Sequence, residues 1–161
     1  MDREVFEVVV GLVRDCRWAA LATIGNGLPL ATQVAWDPDP DLAGGLLHLS
    51  RLAAHTRHLL VDSRAALSLT MADDGREDPQ TLARITLEGQ ALPLAREAQD
   101  WDSARERYLA RFPAARQWFD FTDFTLFHFA IERARYVGGF ANAHTLRADD
   151  LRQAACLAST S

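Results

Sequence analysis

Two apolar runs of strand length, residues 18–24 and 28–36, are separated only by Gly25-Asn26-Gly27. So short a break, with residues that tolerate positive φ, forces the chain back beside itself as an antiparallel hairpin. Pro29 sits at the start of the return strand, where a missing donor is tolerated. The later apolar runs, at 46–49, 65–71, 82–92 and 127–131, with 135–137 before Gly138-Gly139, are mostly joined by connections of hairpin length. Gly89 inside one of them marks a bulge or a close backbone approach. The sum is a mainly β fold with flanking helices: six or seven antiparallel strands, closed or half closed into a barrel.

Helical spacing occurs beside these runs. Val5, Val8, Val9, Leu12 and Val13 form one stripe near the N-terminus, and Trp101, Ala104, Tyr108 and Phe112 form another in a helix over 96–112. Pro113 ends that helix and starts a short second one through Trp118. Asp37-Pro38-Asp39-Pro40-Asp41 reads as a solvated loop, because the prolines hold the acids apart. From Leu146 onward the residues are small and polar, which places a domain at 1–147 and a flexible tail at 148–161.

The chemistry concentrates in residues 46–60, LLHLSRLAAHTRHLL. An apolar strand leads to Ser50, read as the N-cap of a helix carrying Leu52, Ala53, Thr56, Leu59 and Leu60 at helical spacing. Ser50, Arg51, His55, Thr56, Arg57 and His58 then crowd the first turns of that helix. Hydroxyls, guanidinium groups and free backbone N–H groups at a helix start are suited to phosphate, although an ordinary solvated basic face has the same composition.

Residues 50–69, SRLAAHTRHLLVDSRAALSL, resemble the strand–helix–strand segment of the pyridoxamine 5′-phosphate oxidase-like FMN-binding split barrels. The likeness is to the HugZ-type heme-utilisation branch, and residues 78–91 (DPQTLARITLEGQA) and 134–144 (ARYVGGFANAH) extend it, so that it runs from about residue 17 to 144. The resemblance implies an FMN-binding split barrel that works as a homodimer, with the cofactor at the subunit interface and a flavin-dependent oxidoreductase activity on an unknown small molecule; the cytoplasm is the location expected from the composition and the N-terminus. Carried over by position, Ser50, Thr56 and Arg57 contact the FMN phosphate, with His55 capping it. Thr32, Gln33 and Val34 face the ring and ribityl chain, Arg84 makes a polar contact to the ring, and Gly138 and Gly139 admit close backbone approach.

Two departures shape the expectation. Pyridoxamine phosphate oxidases proper carry a basic residue where Thr32 stands, and a C-terminal Trp and Arg set that has no match here, so pyridoxamine phosphate is not the expected substrate. HugZ-type proteins continue into a C-terminal domain, and these 161 residues stop near where it would begin. Heme degradation is therefore not expected. The same barrel also supports non-catalytic binding of FMN or heme, which is the alternative, with His144, after the glycine pair, as the candidate axial ligand.

Other classes fit less well. A net charge of −5 argues against a nucleic-acid surface, and no apolar run reaches the length of a membrane span. The acidic N-terminus is unlike a signal peptide, and Cys16 and Cys156 form no paired motif. His55 and His58 stand three apart on a helix, but without further ligands they do not make a zinc site, and no metal is expected.

Overall fold

In the computed structural model, Asn26 at φ 52° and Gly27 at φ 76° close the first hairpin, the two positive values that a tight two-residue turn requires. The structure describes residues 3–139 and 142–158. The hairpin joins β1 (Trp18–Gly25) to β2 (Leu28–Ala35), in register from Trp18 opposite Ala35 to Gly25 opposite Leu28. A helix, α1 (Arg3–Asp15), precedes it and buries Val9, Val10, Leu12 and Val13. After it come β3 (Asp37–Pro38), β4 (Gly44–Ser50), α2 (Ala54–Val61), β5 (Arg64–Thr70), β6 (Arg84–Pro93), α3 (Trp101–Arg111), β7 (Phe124–Val137), β8 (Ala143–Arg147) and α4 (Ala148–Ala158).

The strands form one antiparallel sheet in the order β2-β1-β5-β6-β7-β4-β3, with β8 paired to β7 off that path. β2 and β4 approach each other without sharing hydrogen bonds. The sheet is thus curled into a half-barrel and split at that seam. β7 is one uninterrupted strand of 14 residues, where the sequence pointed to two. It pairs with β6 along most of its length, with β4 through its first half and with β8 through its second. The register slips at Glu88/Gly89, the expected bulge. A Cβ on Gly89 would stand 1.9 Å from the carbonyl oxygen of Ala130, so only glycine fits.

Strand alternation sorts the apolar side chains into two clusters. Leu47 and Leu49 of β4 join the main core with Leu21, Leu67, Leu87, Phe127 and Phe129, which α1 and α4 cover. Leu46, on the other face of β4, packs with Tyr108, Leu109, Phe119 and Leu126 under α3 and the 3-10 segment Pro113–Asp120.

Two expectations are corrected. Residues 148–158 are not a flexible tail but α4, which buries Leu151, Ala154 and Ala155. Asp149 and Asp150 favour its first turn, and a carboxylate oxygen of Asp150 accepts from the backbone N–H of Arg147 at 2.7 Å. Apart from Leu151 the stripe is made of small residues, so its hydropathy is low although it packs. Residues 159–161 lie outside the described residues. The acidic loop, expected to be solvated, starts as β3, and Asp37 is only 5% exposed. No helix among the described residues is long and apolar enough to cross a membrane.

Candidate cofactor site at the start of the second helix

β4 ends at Ser50, and three residues of turn separate it from α2. Ser50 therefore caps this turn rather than the helix. Its hydroxyl donates to an Asp123 carboxylate oxygen at 3.0 Å and accepts from Leu52 N–H at 3.2 Å. The residue preceding α2 is Ala53, which offers no side-chain acceptor. The first-turn N–H groups of α2 thus lack a side-chain cap, and they carry the partial positive charge of a helix start.

Two threonine–histidine pairs clip α2 to the first hairpin. Thr32 Oγ1 lies 3.0 Å from His55 Nδ1, and Thr23 Oγ1 lies 3.1 Å from His58 Nδ1. Gly25 makes room for the second pair: a Cβ there would lie 2.0 Å from His58 Nε2. Burial, followed by the neighbouring His58, lowers the pKa of His55, so it adds no full positive charge near neutral pH. Among the described residues no group of histidine, cysteine and carboxylate side chains could hold a metal ion.

Between these pairs sits Thr56. It is fully buried, and its hydroxyl has no hydrogen-bond partner among the described residues. A buried unpaired hydroxyl costs about 1–3 kcal/mol, so this one calls for an acceptor or donor that the described residues do not supply. Arg57, next along, is exposed, and among the described residues its guanidinium donates only to the carbonyl of Leu52. An ester phosphate fits this donor set: a hydroxyl, uncapped N–H groups and a guanidinium able to swing.

The other expected contacts are more dispersed. Thr32 and Val34 point to the barrel side of β2, where Val34 is 4% exposed, while Gln33 faces outward on the edge strand. Arg84 stands at the far end of β6 from Ala91, which bonds to Ser63 just after α2. Its guanidinium folds back on the carbonyls of Gln80 at 2.8 Å and Leu82 at 3.3 Å. Gly138 accommodates Tyr136, whose hydroxyl oxygen would stand 2.3 Å from a Cβ there. His144 is not a free loop residue. It lies in β8, stacks on Tyr136 and shares a 2.8 Å hydrogen bond between its Nε2 and Asn142 Oδ1. Phe140 and Ala141 of the same motif lie outside the described residues.

A second polar centre was not legible in the sequence. Arg107 of α3 bridges Asp37 at 3.0 Å and Asp39 at 2.7 Å, and His128 Nε2 lies 2.7 Å from Asp39. Burial raises the pKa of Asp37 despite Arg107. Burial also acts on Asp39, but the hydrogen bond and charge of His128, with Arg107, outweigh it and lower the pKa. His128 is raised in turn, mainly by its hydrogen bond to Asp39. The only sequence signal was a run of acids held apart by prolines, with no indication that α3 would cross it.

Comparison with known proteins places the chain. A family model described as "CREG, beta-barrel" matches residues 3–152. A heme binding protein from Mycobacterium smegmatis superposes with a TM-score of 0.81 at 27% identity, over 92% of this chain and 60% of its own. HutZ, the heme storage protein from Vibrio cholerae, gives 0.69 at 20% identity over 82% and 92%. A protein related to general stress protein 26, of the pyridoxinephosphate oxidase family, from Clostridium acetobutylicum, gives 0.67 at 18% over 94% and 99%. In the last two the likeness is one of fold. No curated protein matches the sequence. The chain thus spans about three fifths of the Mycobacterium smegmatis protein.

Proposed function

We propose that this chain, which belongs to the CREG beta-barrel family, binds FMN at the start of α2 and serves as an oxidoreductase for a small molecule. The observation that carries the reading is the buried, unpartnered Thr56 hydroxyl beside an uncapped helix start. Thr56, the N–H groups of α2 and Arg57 would hold the phosphate. Thr32 and His55 fix the helix start against β2, and Ser50 fixes the turn that delivers it. Gln33 and Arg84 are proposed as polar contacts to the ring and ribityl chain, with Val34 backing them from the core. A flavin held there would supply hydride acceptance and release, and the protein's part would be to bind, orient and exclude water.

A homodimer with the cofactor at the subunit interface belongs to the same proposal. Trp18, Leu28 and Val61 leave 63%, 70% and 90% of their surfaces exposed around the first hairpin and α2. A second copy covering them would bury apolar surface that a monomer leaves in water.

Titration of FMN and riboflavin tests the phosphate assignment. Arg57→Ala should weaken FMN by roughly 2–4 kcal/mol, as for loss of a charge-assisted partner, and leave riboflavin unchanged. Equal weakening of both ligands would sink the assignment.

A second reading is heme binding, favoured by the likeness at 27% identity to the heme binding protein of Mycobacterium smegmatis. Against it, the Nε2 of His144 is already engaged by Asn142. The visible spectrum of the purified protein after exposure to both cofactors decides: flavin bands support the first reading, a stoichiometric Soret band the second.

A further inference from the structure

On the α3 side of β4 lies a groove of about 240 Å³, between β4, the chain leading into α3 and the entry to β7. Its polar side chains are His48, Arg51, Arg96, Thr122 and Thr125, and no carboxylate lines it. In a chain of net charge −5 this is a local reversal of sign. The Arg51 guanidinium has no hydrogen-bond or ion-pair partner among the described residues. That of Arg96 donates once, to the carbonyl of Phe119 at 3.1 Å, and lies 5.5 Å from the Trp101 ring centre. Two guanidinium groups left without counter-charge at one groove attract an anion, and their paired donors match two oxygens.

The rest of the lining is flat and aromatic. His48 stacks on Phe119 with ring centres 3.8 Å apart and planes 7° from parallel. Its ring also meets Phe124 at 5.1 Å. Trp101 closes edge-on against Phe119 at 6.2 Å. Burial, and then the charge of Arg96, lower the pKa of His48 to about 4, so this ring stays an uncharged hydrogen-bonding surface. Such a wall accepts a planar ring, as aromatic faces and edges do for one another.

We propose that this groove binds a small planar aromatic anion, with its carboxylate or phosphate held by Arg51 and Arg96 and its ring against the His48–Phe124–Trp101 wall. The groove opens on the α3 side of β4 from the turn that precedes α2, its lining includes none of the residues of α2, and its occupancy does not depend on flavin. The shared chemistry is an oxyanion attached directly to a ring.

Calorimetric titration of the full chain with benzoate, phenyl phosphate, inorganic phosphate and benzyl alcohol tests it. Benzoate or phenyl phosphate should saturate with a Kd below ~1 mM, the more tightly bound naming the anion. Inorganic phosphate and benzyl alcohol, each lacking one half of the ligand, should bind at least ~10-fold more weakly. Arg51→Gln should cost the aromatic anion at least ~10-fold, with an unchanged melting temperature because the Arg51 side chain makes no hydrogen bond or ion pair among the described residues and its backbone bond to Asp123 is kept. Arg57→Ala should leave this binding untouched, which separates it from the phosphate site proposed at α2. Absence of saturable binding by either aromatic anion overturns the proposal, as does Arg51→Gln binding as wild type. Inorganic phosphate binding as tightly as phenyl phosphate would also overturn it, since the aromatic wall would then contribute nothing.

Discussion

His128 Nε2 lies 2.7 Å from Asp39 Oδ2, tying the middle of β7 to the chain that leaves β3. The two groups titrate in opposite directions. The raised pKa of His128 means that its contribution is complete below the ordinary histidine pKa and is lost as pH rises through the raised value. The lowered pKa of Asp39 means that its contribution is present above the ordinary carboxylate pKa and is lost as pH falls through the lowered value. His128→Gln should therefore destabilise more at mildly acid than at alkaline pH. The side chain is 43% exposed, which limits the difference through screening to about 1 kcal/mol. Urea unfolding at both pH values measures it, and an equal cost at the two would remove the ion pair from the account.

His48 gives the opposite acid response. Its pKa is lowered to about 4 by burial and Arg96, so the unfolded chain takes up a proton first as pH falls below 6.5. Stability should fall between pH 6.5 and 4, with a slope of at most ~1.4 kcal/mol per pH unit from this group. His48→Phe, which keeps a flat ring on Phe119, should flatten that limb. Wild type and variant with parallel acid limbs would refute the assignment.

Thr56→Val separates a binding role from a packing role. Replacing an unpaired buried hydroxyl by a methyl of the same shape should raise stability by ~1 kcal/mol, since no hydrogen bond is lost. The same change should weaken FMN. A variant that is less stable would show that the hydroxyl already has a partner within the chain.

Gly89→Ala should be among the costlier single changes. The obstructing atom is a main-chain carbonyl oxygen on β7, which cannot rotate away. A loss of roughly 1–3 kcal/mol is expected, the range for overpacking a close-packed element. Thermal unfolding provides the measurement, and a shift within experimental error would mean that the bulge relaxes.

The half-barrel was readable because its signals are local. Gly25-Asn26-Gly27 fixes a hairpin by backbone conformation, Gly89 marks a bulge, and the alternation of Leu46, Leu47 and Leu49 assigns two faces. What was missed depends on partners far along the chain. Asp37 and Asp39 look solvated until Arg107 and His128, some 70 to 90 residues later, are brought to them. Helix α4 hides because Ala154 and Ala155 carry little hydropathy yet pack closely. At the candidate site, the Ser50–Arg57 cluster was legible by type. That Thr32 and His55 are turned toward each other, and Thr56 toward nothing, is a matter of side-chain geometry that no spacing encodes.

The position of β7 also bears on how the protein is made. Leu47 pairs with Phe127, about eighty residues downstream. During synthesis the first hairpin can form as soon as it leaves the ribosome, but β4 must wait with Leu46, Leu47 and Leu49 uncovered until translation has passed β7. Pairings this distant are slow, and the waiting strand is a template for association between nascent chains. Yield in a cell should therefore respond to chaperone supply and elongation rate more strongly than the stability of the finished fold would indicate.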